Sequence, residues 1–338
     1  LKLGQFLSQF SPGEIKQHKR PQDKKYFDLF LKEIDNSHIY TSWFTRDNVL
    51  LDICKWADIL RGPYVKNWIN KYCFTDVKPK NLALVMPSNT PLDGMYYLLS
   101  AIISNHNITI RLSPNNENLF KVILSFICDL DLSIAKRISV KKTIANFDAI
   151  ITEEVNKSLH DYLRNKPSII ETQKKAVAVL TGSESVEDLK LLSDHVFDYF
   201  GLSNRNISKI FVPEGYDFDK FFRGVYCKKH VINHAKYYDN YQYNRFVYLM
   251  NKADIIENGF LILKEDIDIH SPISTLFYQY YKDLDDMDKL IKAKKDSIEY
   301  VLSNIKNRFN SMSFKQSHNP TISDYVKTVD VLEFLTHV

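Results

Sequence analysis

Through the first eighty positions apolar residues recur every three or four residues, in "KKYFDLFLKEI", "RDNVLLDICKWADIL" and "YVKNWINKYCF", a period that predicts amphipathic helices. Beyond Lys80 the period changes. "NLALVM" (81–86), "NITIRLS" (107–113) and "FDAIIT" (147–152) are short apolar runs that read as strands, separated by the helical segments "DGMYYLLSAIIS" and "NENLFKVILSFI". Strand and helix in alternation predict right-handed crossovers and a parallel sheet. A second set follows "RNKPSII", where Pro167 is expected to interrupt a helix. It comprises a strand "AVAVLT", a helix from Ser185 to Tyr199 and a strand "ISKIFV". Ser185 and Asp188 have the spacing of a capping box with a shortened acid. Further on come a Tyr/Asn-rich helix (Tyr241 to Asn251), strands "FLIL", "STLFYQYY" and "IEYVLS", and a polar stretch "SMSFKQSHNPTISDY". The fold class is α/β.

Composition narrows the picture. At 338 residues with 44% hydrophobic content the chain can bury a sizeable core. Lys plus Arg outnumber Asp plus Glu by 45 to 41, a net charge of +4 too small to point to nucleic acid. No apolar run approaches the roughly 18 residues of a membrane span, and "LKLGQFLSQF" lacks the pattern of a secretion signal, so a cytoplasmic protein is expected. Cys54, Cys73, Cys128 and Cys227 are scattered without metal-site spacing, so no metal is expected. Glycine is scarce, nine residues where average usage near 7% gives about two dozen, and neither GxGxxG nor a Walker-type loop is present.

The stretch "AVAVLTGSESVEDLKLLSDHVFDYFGLSNRNISKIFVPEGYDF" resembles the acyl-CoA reductases of the LuxC type, a branch of the aldehyde dehydrogenase superfamily. "HAKYYDNYQYNRFVYLMN", "ENGFLILKED", "SPIS" and "SDYVKTVDVLEFL" are similar to the same family in the same order. The resemblance implies an aldehyde-dehydrogenase-like fold. Residues 1–80 would form a helical N-terminal part of the first domain, 81–166 a Rossmann-like nucleotide-binding-type domain and 167–310 a catalytic-type domain. A tail, 311–338, would return to the first domain or to an oligomer interface. The implied reaction starts with a cysteine thiolate attacking an acyl thioester; the acyl-enzyme then accepts a hydride from NADPH and leaves as a fatty aldehyde. Implied partners are an acyl-CoA or acyl-protein thioester and either further copies of the chain or a related enzyme.

Residue by residue, the resemblance carries over unevenly. "PSNTP" (87–91) is similar to the superfamily's Pro-x-Asn-x-Pro turn, which makes Asn89 the oxyanion donor, an amide with two uncharged N–H groups. "ITIRLSP" is similar to the cofactor strand, with Arg111 and Ser113 at the ribose-facing positions and Arg in place of Lys. The phosphate loop departs from the family. After "DAII" stands "TEEVNK", with Thr152 matched, and Glu153 and Glu154 where Gly-Ser-like residues open a helix. Two like charges about 4 Å apart repel by about 4 kcal/mol at an effective dielectric near 20, so glutamates and a pyrophosphate conflict there. The nucleophile turn, commonly Gly-Cys-Arg-Asn, is here Ser203-Asn204-Arg205-Asn206, with Asn204 at the cysteine position. A carboxamide has no thiolate form, and losing a nucleophile costs on the order of 10⁶ in turnover. Ser203, one residue away, is a weak alternative that needs an adjacent base. "SFKQSHNP" (313–320) lacks the glycine of the family's Pro-Phe-Gly-Gln. The expectation is a thioester-binding or complex-forming protein whose reductase chemistry is impaired; the alternative is an active reductase with a relocated nucleophile.

Three other groupings compete with bland readings. His230 and His234, four apart, could share a helix face for a metal or simply pack. Cys227, beside Lys228 and Lys229, is a candidate displaced nucleophile. "YYDNYQYNRFVY" with Arg245 could stack on bases, or form a buried aromatic helix face.

Overall fold

The computed structural model describes residues 1–17, 21–74, 77–153, 160, 163–172, 174–305, 308–317, 321–325 and 329–338. The chain divides into two units, Leu1–Thr172 with Pro320–Val338 and Gln173–Asn319.

In the first unit, helices α1 (Lys2–Leu7), α2 (Pro21–Tyr40), α3 (Arg46–Arg61) and α4 (Tyr64–Ile69) precede the main sheet, with a two-residue ladder of β1 (Phe10–Ser11) and β2 (Glu14–Ile15) after α1. The apolar residues of α1, β1 and α2 meet in a cluster of phenylalanines. Phe6 stacks on Phe126 with ring centroids 4.4 Å apart, and Phe10 meets Phe30 edge-on at 5.1 Å. Phe126 belongs to α6 (Glu117–Leu130), which with α5 (Met95–Ile103) and the short α7 (Leu132–Ala135) connects the strands. The strands are β3 (Asn81–Val85), β4 (Asn107–Arg111), β5 (Ile138–Val140), β6 (Ala149–Thr152) and β7 (Ser168–Ile170). They lie in the order β5-β4-β3-β6-β7, all parallel. Leu82, Ala83 and Leu84 of β3 and all four residues of β6 are buried, as in a parallel sheet covered on both faces. The chain winds outward from β3 through β4 and β5, then returns to β6 on the other side. The crevice beyond the carboxyl ends of β3 and β6 is thus the topological switch point, the place where open α/β sheets bind ligands.

The second unit contains β8 (Lys175–Val179), α8 (Val186–Phe197), β9 (Ile207–Pro213), α9 (Phe218–Val225), α10 (Ala235–Met250), β10 (Ile255–Glu257), β11 (Ile262–Glu265), β12 (Thr275–Tyr281), α11 (Leu284–Ala293), β13 (Ile298–Leu302) and α12 (Phe314–Ser317). Its sheet runs β10-β11-β12-β9-β8-β13, parallel except where β10 pairs antiparallel with β11. The central β9 is buried at six consecutive positions, Lys209 included. That ammonium donates to the Asp266 carbonyl and to Gln279 Oε1, both at 2.7 Å, so it ties β9 to β12 and to the turn after β11. The capping box of α8 is present: Asp188 N donates to Ser185 Oγ, and Ser185 N to Asp188 Oδ2.

The last helix, α13 (Val331–His337), belongs to the first unit, where Val331, Leu332 and Leu335 join the core. The fully buried His106 holds it there. Its Nδ1 accepts from Lys80 N at 3.1 Å, which leaves Nε2–H to donate to the Leu335 carbonyl at 2.8 Å. Phe314, by contrast, is buried in the second unit, so the expected tail 311–338 divides between the two units.

Several expectations are corrected. The boundary at Lys166 falls one strand early, because Ser168–Ile170 forms β7 beside β6 and the first unit runs to Thr172. The Pro167 carbonyl accepts from Ile150 N, so this proline leads into a strand. The helix from Ser185 stops at Phe197, since Tyr199 and Phe200 take left-handed φ angles of 53° and 58°. The Tyr/Asn-rich helix starts at Ala235, because His234 caps it by accepting from Tyr237 N. The helix opening expected at Glu153 and Glu154 lies, from Glu154 on, outside the described residues.

Gly224 lets α9 approach α8: a Cβ at this position stands 2.3 Å from Leu189 Cβ. Gly224→Ala gains about 1 kcal/mol of helix propensity but overpacks this contact, which typically costs about 1–3 kcal/mol. A net loss of stability in chemical denaturation is expected, and an equally stable variant contradicts the close approach.

Candidate functional site

Pro87-Ser88-Asn89-Thr90-Pro91 leaves the carboxyl end of β3 at the switch point, and two carboxylates fix its backbone. Asp93 Oδ2 accepts from Asn89 N at 3.0 Å, and Asp52, from α3, accepts from Leu92 N at 2.8 Å. Burial pushes the Asp52 carboxyl up to about 6. The Asn89 carboxamide makes no hydrogen bond among the described residues, so its donors remain available. The turn then closes at Gly94, whose φ is +83° and where an added Cβ would stand 2.7 Å from Pro87 Cδ, so no side chain fits.

Beside this turn lies a small polar cluster. Ser113 donates to Ser88 Oγ at 2.8 Å, and Asn116 Nδ2 to the Pro87 carbonyl at 3.0 Å. Asn116 Oδ1 is buried without a hydrogen-bond partner. Arg111, at the end of β4, is exposed, and only its backbone joins the turn, by accepting from Met86 N. Thr152, at the end of β6, is buried with its hydroxyl turned onto the Glu153 carbonyl at 2.9 Å.

Carboxylates bear on a tyrosine of this unit. Burial raises the Tyr97 phenol well above its ordinary range, and the charges of Glu171 and Asp93, a hydrogen bond with Glu171 and the charge of Glu153 push it further. Three carboxylates therefore bear on one buried tyrosine at the carboxyl ends of β6 and β7. Of these, the sequence pointed only to Glu153; Glu171 arrives with β7, which was not foreseen as a strand.

A nicotinamide dinucleotide meets a mixed reception here. The Ser88 and Ser113 hydroxyls suit those of a ribose. The pyrophosphate is not suited: no glycine occurs between Gly94 and Gly182, and the Thr152 hydroxyl is already engaged.

In the second unit, Asn204 sits on the bend between α8 and β9. Three successive residues, Tyr199, Phe200 and Gly201, are left-handed, with φ of 53°, 58° and 80°. For non-glycine residues this costs on the order of 1–3 kcal/mol each. The bend is over-determined. Asn206 Nδ2 donates to the carbonyls of His195 and Asp198 at 2.9 and 3.0 Å, and its Oδ1 accepts from Ser203 N at 2.8 Å. From β8, the Lys175 ammonium donates to the carbonyls of Gly201, Leu202 and Ser203 at 3.0, 3.4 and 2.9 Å. Burial lowers this ammonium to about 8. Tyr300 from β13 donates to the Arg205 carbonyl at 2.7 Å, and the Arg205 guanidinium lies 4.8 Å over its ring.

On this frame Asn204 is half-buried, with no side-chain hydrogen bond among the described residues. Ser203 Oγ accepts from Arg205 N at 3.2 Å, a turn-stabilising role. Cys227, the one cysteine of this unit, is exposed and lies against Ser193 Oγ and the Gly224 carbonyl, on the α8–α9 packing. Lys228 pairs with Asp194 and Asp198, and Lys229 lies over the Tyr226 ring, so both neighbouring cations have other partners. His234 caps α10, and no metal-ligating group of three appears among the described residues. Arg245 donates to both oxygens of Glu257 at 2.8 Å.

No protein-family model matches the chain, and no curated protein matches it. Solved structures match its fold. An NAD-dependent aldehyde dehydrogenase from Sinorhizobium meliloti aligns with a TM-score of 0.60 at 11% identity, over 91% of this chain and 75% of that one. HpcC from Thermus thermophilus aligns at 0.59 and 11%, over 90% and 73%. An acetylating aldehyde dehydrogenase from Geobacillus thermoglucosidasius aligns at 0.55 and 11%, over 90% and 81%. The chain has an aldehyde-dehydrogenase-like fold. No helix among the described residues is long and apolar enough to cross a membrane.

Lys175→Met removes the donor from three carbonyls, so amide exchange at Leu202, Ser203 and Asn206 is expected to quicken about tenfold. The pH dependence changes as well. A lysine whose folded pKa is depressed to about 8 adds stability as pH rises from there to its ordinary range, because the unfolded chain then binds more protons. The variant is expected to lose that increment when denaturation is followed across this window.

Proposed function

We propose that this chain is a homologue of the acyl-CoA reductases that binds an acyl thioester without forming an acyl-enzyme. The observation that carries this reading is the carboxamide of Asn204 on a bend locked by Lys175 and Asn206. Asn89 matches the family's oxyanion donor by position, and Asp93 and Asp52 hold its turn so that its donors need no reorganisation. Attack on a bound thioester does not follow, since the Asn204 carboxamide has no nucleophilic form near neutral pH. The thioester leaves unchanged, or passes to a partner enzyme.

Reductase chemistry further requires NADPH, the cofactor implied by the resemblance. The carboxylates around Tyr97 argue for weak dinucleotide binding, so hydride transfer forms no part of the proposal. The alternative, an active reductase with a relocated nucleophile, has little support: Cys227 lies on a helix-packing surface, and the Ser203 hydroxyl already accepts from the backbone.

Thermal unfolding with each ligand in turn tests this. A long-chain acyl-CoA at one hundred times its dissociation constant is expected to add about 2.7 kcal/mol, with NADPH giving no shift. A clear NADPH shift together with release of fatty aldehyde contradicts the proposal.

A further inference from the structure

Of the nine glycines in the chain, Gly259 alone follows an asparagine. Asn258 and Gly259 lie in the connection from β10 to β11, just after Glu257, which pairs with Ile262 across the ladder. Gly259 has a φ of +91°, and nothing beyond its chain neighbours stands within 4 Å of where a Cβ would be. A backbone nitrogen whose own residue has no side chain is the least hindered nucleophile in a polypeptide.

Around this pair the parts of an intramolecular acyl reaction come together. Asn258 Oδ1 accepts from two backbone N–H groups, Phe260 at 3.2 Å and Leu261 at 2.9 Å. Both donors face the oxygen on which charge builds up when a nucleophile adds to Cγ. Asn258 Nδ2, the group that would leave, is buried with no hydrogen-bond partner among the described residues. The nucleophile has a proton acceptor: a backbone hydrogen bond from Gly259 bears on the Tyr241 phenol of α10. Tyr241 in turn donates to Glu257 Oε2 at 2.7 Å, and Arg245 fixes both oxygens of that carboxylate at 2.8 Å. Stabilising a turn accounts for the two bonds to Oδ1. It accounts neither for the orphaned amide nor for the phenol beside the Gly259 nitrogen.

We propose that Asn258 and Gly259 form a self-modification site, at which the folded chain converts the asparagine to aspartate or isoaspartate. The Gly259 nitrogen attacks Asn258 Cγ, passing its proton to the Tyr241 oxygen while Tyr241 gives its own to Glu257. The Cγ–Nδ2 bond then breaks, and the amide takes up that proton and leaves as ammonia. Water opens the resulting succinimide at either carbonyl. Opening to aspartate leaves a carboxylate on the two N–H donors, a stronger bond than the amide made. Opening to isoaspartate adds a methylene to the backbone between β10 and β11.

Peptide mapping by mass spectrometry, on the 338-residue chain held at neutral pH, follows the amide-to-acid conversion, and isoaspartyl methyltransferase labels the isoaspartate. The same chain in guanidinium chloride gives the rate that the dipeptide has without the fold. The folded chain is expected to convert position 258 about a hundredfold faster than the denatured one. Tyr241→Phe is expected to slow conversion about a hundredfold, and Glu257→Gln to slow it as well. Conversion no faster in the folded chain than in the denatured one overturns the proposal. A Tyr241→Phe chain that melts like the native one and converts at the native rate overturns the proton path.

Discussion

The Lys175 ammonium, drawn in from water at the start of β8, satisfies the carbonyls of Gly201, Leu202 and Ser203 together, with no carboxylate paired to it among the described residues. Burying a charge this way is costly, and so are left-handed backbones at Tyr199 and Phe200. Both costs fall on the same bend. They are offset by burial of the two aromatic rings, with Phe200 packed 4.4 Å from the His234 ring, and by the three hydrogen bonds of the Asn206 side chain. The result is a rigid pedestal for position 204. In the proposed reading this is the position where an acyl-transfer enzyme would carry its nucleophile.

The first unit tells a parallel story about charge. The switch point of its sheet keeps the geometry of a ligand crevice, a turn held by Asp52 and Asp93 with the Asn89 amide unspent. Yet the loops at the ends of β6 and β7 bring Glu153 and Glu171 toward Tyr97. Backbone geometry and electrostatics thus favour different ligands. A neutral carbonyl gains from an amide donor whatever the surrounding charge, whereas a pyrophosphate is opposed by every carboxylate within a Debye length.

Much of this was legible in the chain. "NLALVM" and "ISKIFV" read as strands because parallel strands covered on both faces are apolar throughout, and "PSNTP" pointed to Asn89 through its resemblance to the superfamily's Pro-x-Asn-x-Pro turn. Edge elements were missed for the opposite reason. β5 is three residues in "RISVKK", too short and polar to show a period, and β7 hid behind Pro167. Lys175 was one of two adjacent lysines, and nothing local distinguishes the one that turns inward. Glu171 acquires meaning only when β7 is laid beside β6. Residues that act through chain reversal are silent in a linear reading.

The central claim is that position 204 blocks covalent chemistry on an otherwise intact bend. Intact-mass spectrometry after incubation with acyl-CoA addresses it directly, comparing the native chain with Asn204→Cys. The account predicts no acyl adduct on the native chain and an added acyl mass, mapped to position 204, on the variant. A native chain that acquires an acyl group within the second unit would contradict it.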